Sequence, residues 1–398
     1  MNNMQKKCLV TVLSAIVCGK TIAQTPASIE LGGFDLYPSL KAEFGHDDNV
    51  LRDDDSEVES WKSTIAPEFI LVNSFGLNTI QAGYRLERGN YFSSQADSYT
   101  DHLFNLAGNF ELNVRHRVSF EAVYKDDHDE RGTAFTIGQG DIIDTPDQYK
   151  SSKVDVTYSY GALTTKGRID LTAGYLTTDY DIDTPLYRSR DRSTNSLGGT
   201  FYYQIMPATD LTFDVIYNNI DYDFALDPTT PLDSEEVRAL VGVEWDTTAK
   251  TTGYFKIGHR QKEFDDGSRE DFSGLDWRIG VTWSPRTYST VDFTTFTNTN
   301  ETNGVGDFID TQTYQLSWDH EWLDRLSTTV KASYSEDEYT GSNASRVDDN
   351  ITTMFTVNYV ARRYMVVQAG FTHDRRNSNE DIIDFDRNIV SLTVNITL

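Results

Sequence analysis

The last eleven residues, Asn388–Leu398, read NIVSLTVNITL. Val390, Leu392, Val394, Ile396 and Leu398 share one parity, and Ser391, Thr393, Asn395 and Thr397 share the other. Successive Cβ atoms of an extended chain point to opposite sides, so a period of two marks a strand with two chemically different faces. The alternation recurs upstream. VSFEAVYK sets Val118, Phe120, Ala122 and Tyr124 against Ser119, Glu121, Val123 and Lys125, and KVDVTYSY sets Val154, Val156, Tyr158 and Tyr160 against Asp155, Thr157 and Ser159. RIDLTAGY, LTFDVIY and WRIGVTW repeat it, with charges on the second face. A soluble sandwich would bury both sides less regularly and show Greek-key spacing.

Eighteen such segments begin near Phe34, Trp61, Leu77, Asp101, Arg117, Lys150, Gly167, Thr194, Leu211, Glu236, Thr252, Ser273, Ser289, Thr311, Ser327, Asn350, Met365 and Asp386. The connections alternate between eight short turns, such as Asn73–Gly76 and Trp322–Arg325, and nine longer loops, such as HDDNVLRDDDSEVES. An even strand number with this asymmetry predicts an all-β fold. The expected fold is a transmembrane antiparallel up-and-down β-barrel of about 18 strands, with short periplasmic turns and long acidic extracellular loops. The final strand must then pair with the first, around Phe34–Phe44, because an unpaired backbone N–H or C=O in lipid costs several kcal/mol. Trp61, Tyr91, Tyr99, Tyr124, Tyr149, Tyr160, Tyr175, Trp245, Trp283, Tyr334 and Tyr359 lie towards strand ends and are expected to form interfacial girdles.

The start of the chain, MNNMQKKCLVTVLSAIVCGKTIAQTP, has Lys6 and Lys7 ahead of an apolar run from Cys8 to Cys18 and a small-residue pattern ending at Ala23. This predicts a secretory signal peptide over residues 1–23 and a single barrel domain over 24–398. Ala15-Ile16-Val17 before Cys18 is a poor lipobox. Both cysteines lie in the signal, so the mature chain has no disulfide framework. Cleavage removes Lys6, Lys7 and Lys20 but no acid, leaving 35 − 3 = 32 bases against 62 acids, and the formal charge moves from -27 to -30. Such a chain repels nucleic acid, whose binding depends on Lys and Arg neutralising phosphates. After the signal no stretch approaches the ~20 apolar residues of a membrane helix.

A barrel of this size is too wide to be filled by its own wall, so function is expected in the lumen and loops. Candidate lumen-lining residues lie opposite the apolar faces. They are Lys41, Glu43, Arg85, Glu87, Glu121, Lys125, Lys153, Asp155, Arg168, Asp170, Asp214, Arg238, Glu244, Asp276, Arg278, Asp292, Lys331 and Arg387. Their mixed signs fit cross-strand ion pairs lining the wall; an ion-guiding ring is the sharper alternative. Few inward aromatics are expected, Phe296 being one. The loop acids Asp53, Asp54, Asp55, Glu57 and Glu59 lack the ordered spacing of a calcium loop, and DDGSRED (Asp265–Asp271) only echoes one. The longest loop, RGTAFTIGQGDIIDTPD (Arg131–Asp147), is a candidate constriction or an extracellular cover. His128 between Asp127 and Asp129, and His373 before Asp374, do not specify a catalytic arrangement, and nucleophile-elbow and phosphate-loop motifs are absent. Catalysis, a cofactor and a metal are therefore not expected.

The segment EFGHDDNVLR (Glu43–Arg52) resembles the Asp-Asp-Asn-Val hallmark of the putative beta-barrel porin 2 family through Asp47, Asp48, Asn49 and Val50. HDERGTAF (His128–Phe135) and SPRTYS (Ser284–Ser289) are also similar to family features. Asp and Asn side chains cap their own backbone in such turns, so a structural role is expected for the motif. The resemblance implies an integral outer-membrane channel for exopolysaccharide or capsular polysaccharide. It would be a passive conduit, in contact with outer-membrane lipids, receiving polymer from a periplasmic polysaccharide-export protein. A general or solute-specific diffusion porin and a structural or adhesive surface barrel are the alternatives.

Overall fold

A computed structural model of the chain describes residues 27–248, 250–341 and 344–398; the expected signal segment lies outside these residues. A short strand β1 (Ile29–Leu31) precedes eighteen long ones. These are β2 (Phe34–Asp47), β3 (Ser60–Phe75), β4 (Asn78–Tyr91), β5 (Tyr99–Asn113), β6 (His116–Asp129), β7 (Asp147–Tyr160), β8 (Gly167–Tyr180), β9 (Arg192–Met206) and β10 (Thr209–Tyr222). They continue with β11 (Ser234–Thr248), β12 (Thr251–Phe264), β13 (Phe272–Arg286), β14 (Ser289–Glu301), β15 (Phe308–Leu323), β16 (Leu326–Thr340), β17 (Val347–Arg362), β18 (Met365–Ser378) and β19 (Phe385–Thr397). Every expected starting point falls within three residues of an observed one. A single turn of helix α1 (Pro185–Arg188) sits in the loop after β8.

Each long strand pairs antiparallel with its sequence neighbours, and β19 closes onto β2 from Ile389 opposite Asp47 to Thr397 opposite Ser39. The sheet therefore has no free edge along the seam, which satisfies the demand lipid places on the backbone. Beyond Thr397 the same edge of β2 is taken over by β1, with Ile29 opposite Leu36 and Leu31 opposite Phe34. The Ala27 amide donates to the Leu398 carbonyl at 2.6 Å, so β1 continues the row that β19 ends. Sequence periodicity missed β1 because three residues are too few to show a period.

The two faces are inverted relative to a water-soluble protein. Leu392, Val390, Phe44, Phe69, Phe213, Val215, Leu316 and Phe355 are exposed, whereas Thr212, Asp276, Thr393 and Arg260 on the opposite parity are buried. Strands of 13 to 16 residues, at ~3.3 Å per residue and tilted by ~40°, rise roughly 33–40 Å, more than the ~25 Å apolar band of such barrels. Their ends must project past the lipid. At one end the connections are tight, as at Gly76, whose φ of 64° supplies the left-handed conformation that the Gly76-Leu77 turn needs. Register shifts at Glu111/Asn113, Glu321/Leu323 and Val360/Arg362 also fall at this end, as bulges at barrel rims do. At the other end only residues 48–59, 130–146, 181–191 and 223–233 form long loops; the remaining five connections have seven residues or fewer.

Trp61 stacks on Phe44 at 5.0 Å on the exposed face near the loop end, and Tyr160, Trp283 and Tyr359 are exposed towards the turn end. The girdle expectation fails for Tyr91, Tyr99 and Tyr149. Tyr91 and Tyr99 are buried with Val50 in an apolar cluster, and Tyr149 packs at 5.8 Å from Tyr180 on the inner face. Their position near strand ends was correct, but parity turns them inward.

Candidate functional site

All eighteen charged candidates stand on the face opposite the exposed apolar side chains, as the strand registers require. The pairs among them differ from simple cross-strand ladders. Lys41–Glu43 (3.0 Å), Arg85–Glu87 (3.7 Å) and Lys153–Asp155 (2.8 Å) are i, i+2 neighbours on one strand. Others skip strands, because the concave wall lets long side chains meet over its surface. Arg168 on β8 reaches Asp210 on β10 at 2.5 Å, and Arg238 on β11 grips Asp276 on β13 with two bonds of 2.8 Å. Lys256 joins Asp214 (2.9 Å) and Glu244 (2.8 Å). Arg387 pairs with Asp47 across the closure seam, Nε to Oδ1 at 2.9 Å. Thr282 donates to Asp292 at 2.5 Å. Among the described residues Glu121, Lys125, Asp170, Arg278, Asp292 and Lys331 have no ion-pair partner.

Water access divides the interior by height. Lys153 and Lys331, near mid-strand, are exposed to the lumen. Towards the loop end Arg238, Asp276, Arg260 and Lys262 are 4 % exposed or less. Arg260 pairs with Asp310, three strands away, and Lys262 with Glu301 at 2.6 Å. The β13–β14 ladder stops at Arg278 opposite Phe296, and there Arg238 Nη2 donates to the Thr297 carbonyl at 2.9 Å while Nη1 donates to Asn298 Oδ1 at 3.1 Å. Buried ions need such counter-charges, since desolvation alone is several kcal/mol per charge. Arg260 still leaves Nε and Nη1 without an acceptor among the described residues. Lys256, Arg260 and Lys262 escaped the sequence reading although they continue one parity along KIGHRQKEF.

The Asp-Asp-Asn-Val stretch is a clasp on the seam. Asp47 holds Arg387, Asp48 accepts from the Asn388 amide (2.6 Å) and side chain (2.9 Å), and Asn49 donates to the Asp386 carbonyl (3.0 Å). Asn49 Oδ1 also accepts from the Asp53 amide (3.1 Å), and Val50 is buried against Tyr91 and Tyr99. The motif thus ties the first loop to the last strand.

The loop 130–146 folds across the mouth. Arg131 anchors its start, donating to Asp97 Oδ1 (2.8 Å), Asp97 Oδ2 (2.5 Å), Ser94 (3.0 Å) and the Ile143 carbonyl (2.9 Å). Glu130 meets Arg52, and Arg387 lies 3.6 Å away. Burial opposes ionisation of Glu130, but Arg52, Arg387 and Lys62 outweigh it and hold the carboxyl well below its usual range. Gly132 and Gly140 are pressed on the Leu51 carbonyl, where a Cβ would come within 2.1 and 2.3 Å, so only glycine allows this approach. A Cβ on Gly304 would lie 3.7 Å from Phe135, and the β14–β15 loop is eight strands from the β6–β7 loop around eighteen. The loop therefore reaches the loop on the opposite side of the mouth.

Between these loops lies a cavity of about 430 Å³, lined by Phe135, Arg190, Tyr222, Phe224, Arg269 and Arg346 among others. Arg190 lies 4.2 Å over Phe135 and 4.1 Å over Tyr187, and pairs with Asp147 at 2.9 Å. The expectation of few inward aromatics is corrected here. These rings come from loops and strand tips, which carry no periodic signal.

His128 Nδ1 is bonded to Asp101 at 3.0 Å and its ring stacks on Tyr99 at 4.1 Å. Asp101, Asp127 and His128 bring ligand atoms within 4.8 Å of one another. His373 Nδ1 bonds Asn388 at 3.0 Å. Among the described residues neither histidine aligns a nucleophile, the arrangement acyl transfer would need.

The fold is similar to that of OpdO from Pseudomonas aeruginosa, with a TM-score of 0.50 at 12% identity over 91% of this chain and 97% of that one. The siderophore receptor PirA from the same organism gives 0.43 at 12% identity over 91% and 80%. The FrpB iron transporter from Neisseria meningitidis (F3-3 variant) gives 0.47 at 9% identity over 86% of this chain, which spans 62% of that chain. No curated protein matches. The family model described as Putative beta-barrel porin 2 matches residues 23–398. With that match over nearly its whole length, this outer-membrane β-barrel belongs to the putative beta-barrel porin 2 family.

Proposed function

We propose that the barrel is a passive outer-membrane conduit for export of a secreted polysaccharide, with its loop end outside and its turn end receiving polymer from a periplasmic export protein. The observation that carries this reading is the aromatic-lined cavity at the mouth, where Phe135, Tyr222 and Phe224 stand beside Asn303, Thr302 and arginines. Sugars present apolar ring faces bordered by hydroxyls, and rings flanked by hydrogen-bonding groups suit both. The wall supports the same function. An eighteen-strand circumference leaves an aqueous channel, and its paired charges offer a passing polymer polar contacts without one dominant binding charge. Family membership adds to this, because the resemblance implies a place beside exopolysaccharide machinery. The conduit needs no catalytic step.

Deletion of the gene tests the proposal, with polymer in the culture medium and small-sugar uptake measured together. Loss of extracellular polymer with unchanged uptake is expected. Unchanged polymer with reduced uptake would establish a diffusion porin instead.

A further inference from the structure

We propose that the mouth cavity binds an acidic sugar unit, a pyranose carrying a carboxylate, with Arg190 and Arg346 as its anion partners and Phe135 and Phe224 as its apolar walls. The sugar rests on the export reading; the charge preference does not. The chain has 62 acidic and 35 basic residues, yet three arginines and one acid, Asp227, line this cavity. The carboxylates that pair with those arginines are Asp147, Asp307 and Asp348, and none of them is on the lining. The lining is therefore basic in balance, with the paired acids outside it.

Donor accounting separates the three. Arg269 is spent on Asp307 and on the carbonyls of Pro231 (2.7 Å) and Thr230 (2.5 Å). Among the described residues Arg190 donates only from Nη1, to Asp147, and its buried Nε has no acceptor. The side chain is 8% exposed, so water does not readily serve that donor. Arg346 donates to Asp348 through Nε and Nη2 and keeps Nη1. A guanidinium has five N–H donors in a planar fork that matches a carboxylate. Stacking on Phe135 and Tyr187 occupies the faces of Arg190, so an acceptor can meet the guanidinium only at its N–H edge, whose Nε is buried and is reached by a small shift of the side chain. A buried donor without an acceptor is costly, and an entering carboxylate removes the cost. The volume of about 430 Å³ lies within the roughly 300–1,000 Å³ of ligand pockets.

The test is calorimetric titration of the full chain in detergent micelles with trigalacturonate and with maltotriose as its neutral counterpart. Trigalacturonate is expected to bind at least about tenfold more tightly, the worth of one charge-assisted hydrogen bond. Arg190→Gln and Arg346→Gln should each remove about that factor for trigalacturonate and weaken maltotriose by less, so that the preference for the acidic sugar falls. Heat-modifiable gel migration reports whether each variant is folded. Should Arg190→Gln misfold by stranding Asp147, the unaltered protein still decides, because guanidinium–carboxylate binding weakens as salt is added. Equal affinity for both sugars, or affinity independent of salt, overturns the charge assignment while leaving polysaccharide export intact. Binding of neither overturns the site, and the gene-deletion result then judges export separately.

Discussion

Asp47 and Arg387 are 340 positions apart, yet they form a nearly water-free pair at the point where the barrel closes. Removing one partner of such a pair costs about 3–5 kcal/mol when the other is left uncompensated. Without Asp47 the buried Arg387 keeps, among the described residues, only Glu130, 3.6 Å away, which puts the cost at the lower end of that range. Asp47→Ala is therefore expected to lower the urea midpoint of the folded barrel in micelles by several kcal/mol equivalents of stability. Asp48→Ala, which gives up hydrogen bonds to Asn388 from a less enclosed position, should cost about 1–2 kcal/mol. Equal and negligible effects would remove the clasp from the motif's role. The turn chemistry of Asp47, Asp48 and Asn49 was legible in four consecutive letters because Asp and Asn cap local backbone. Their partners were not legible, because only closure of the sheet brings Asp386, Arg387 and Asn388 alongside.

Strands and loops differ in what they disclose. A strand bounded by lipid on one side and water on the other repeats its decision every second residue, so fourteen residues of β6 carry the same message many times. The loop 130–146 states its inward fold once, through Arg131 on Asp97 and through glycines flattened against Leu51. Length and apolar content mark it as a candidate constriction, but its path depends on contacts with loops across the mouth. Acid tests that path. The depressed carboxyl of Glu130 means that its contribution is complete above the unfolded value near 4.5 and fades as pH falls from there towards the lower folded value. Conductance in planar bilayers should be steady down to about pH 4.5 and rise reversibly only further into acid, as pH falls towards the lower folded value and the loop's hold on Arg52 and Arg387 is lost. Glu130→Gln should show the raised conductance already at neutral pH and a flatter acid response. A conductance unmoved by both treatments would mean that the loop does not limit the pore.

For the molecule as a whole, stability has to come from an arrangement in which greasy side chains face outward and ions face in, which no aqueous core would tolerate. The inversion predicts a graded cost along a single strand. Leu392 lies mid-strand on β19, 53% exposed, with Phe44 beside it on the same face. An arginine there must sit near the bilayer midplane and should cost about 2–4 kcal/mol in vesicles, whereas Leu398→Arg at the turn rim should cost about 0–1 kcal/mol. Lys331→Ala, on the inward parity and open to lumen water, should stay within about 0.5 kcal/mol of the parent. Urea unfolding followed by tryptophan fluorescence in vesicles gives all three. A buried core in water would penalise the arginines by local packing, with no dependence on depth, so equal costs at Leu392 and Leu398 would mean that the apolar faces are not the lipid surface. The gradient is the stricter requirement, since only a slab of hydrocarbon of fixed thickness makes the same substitution expensive in the middle of a strand and nearly free at its end.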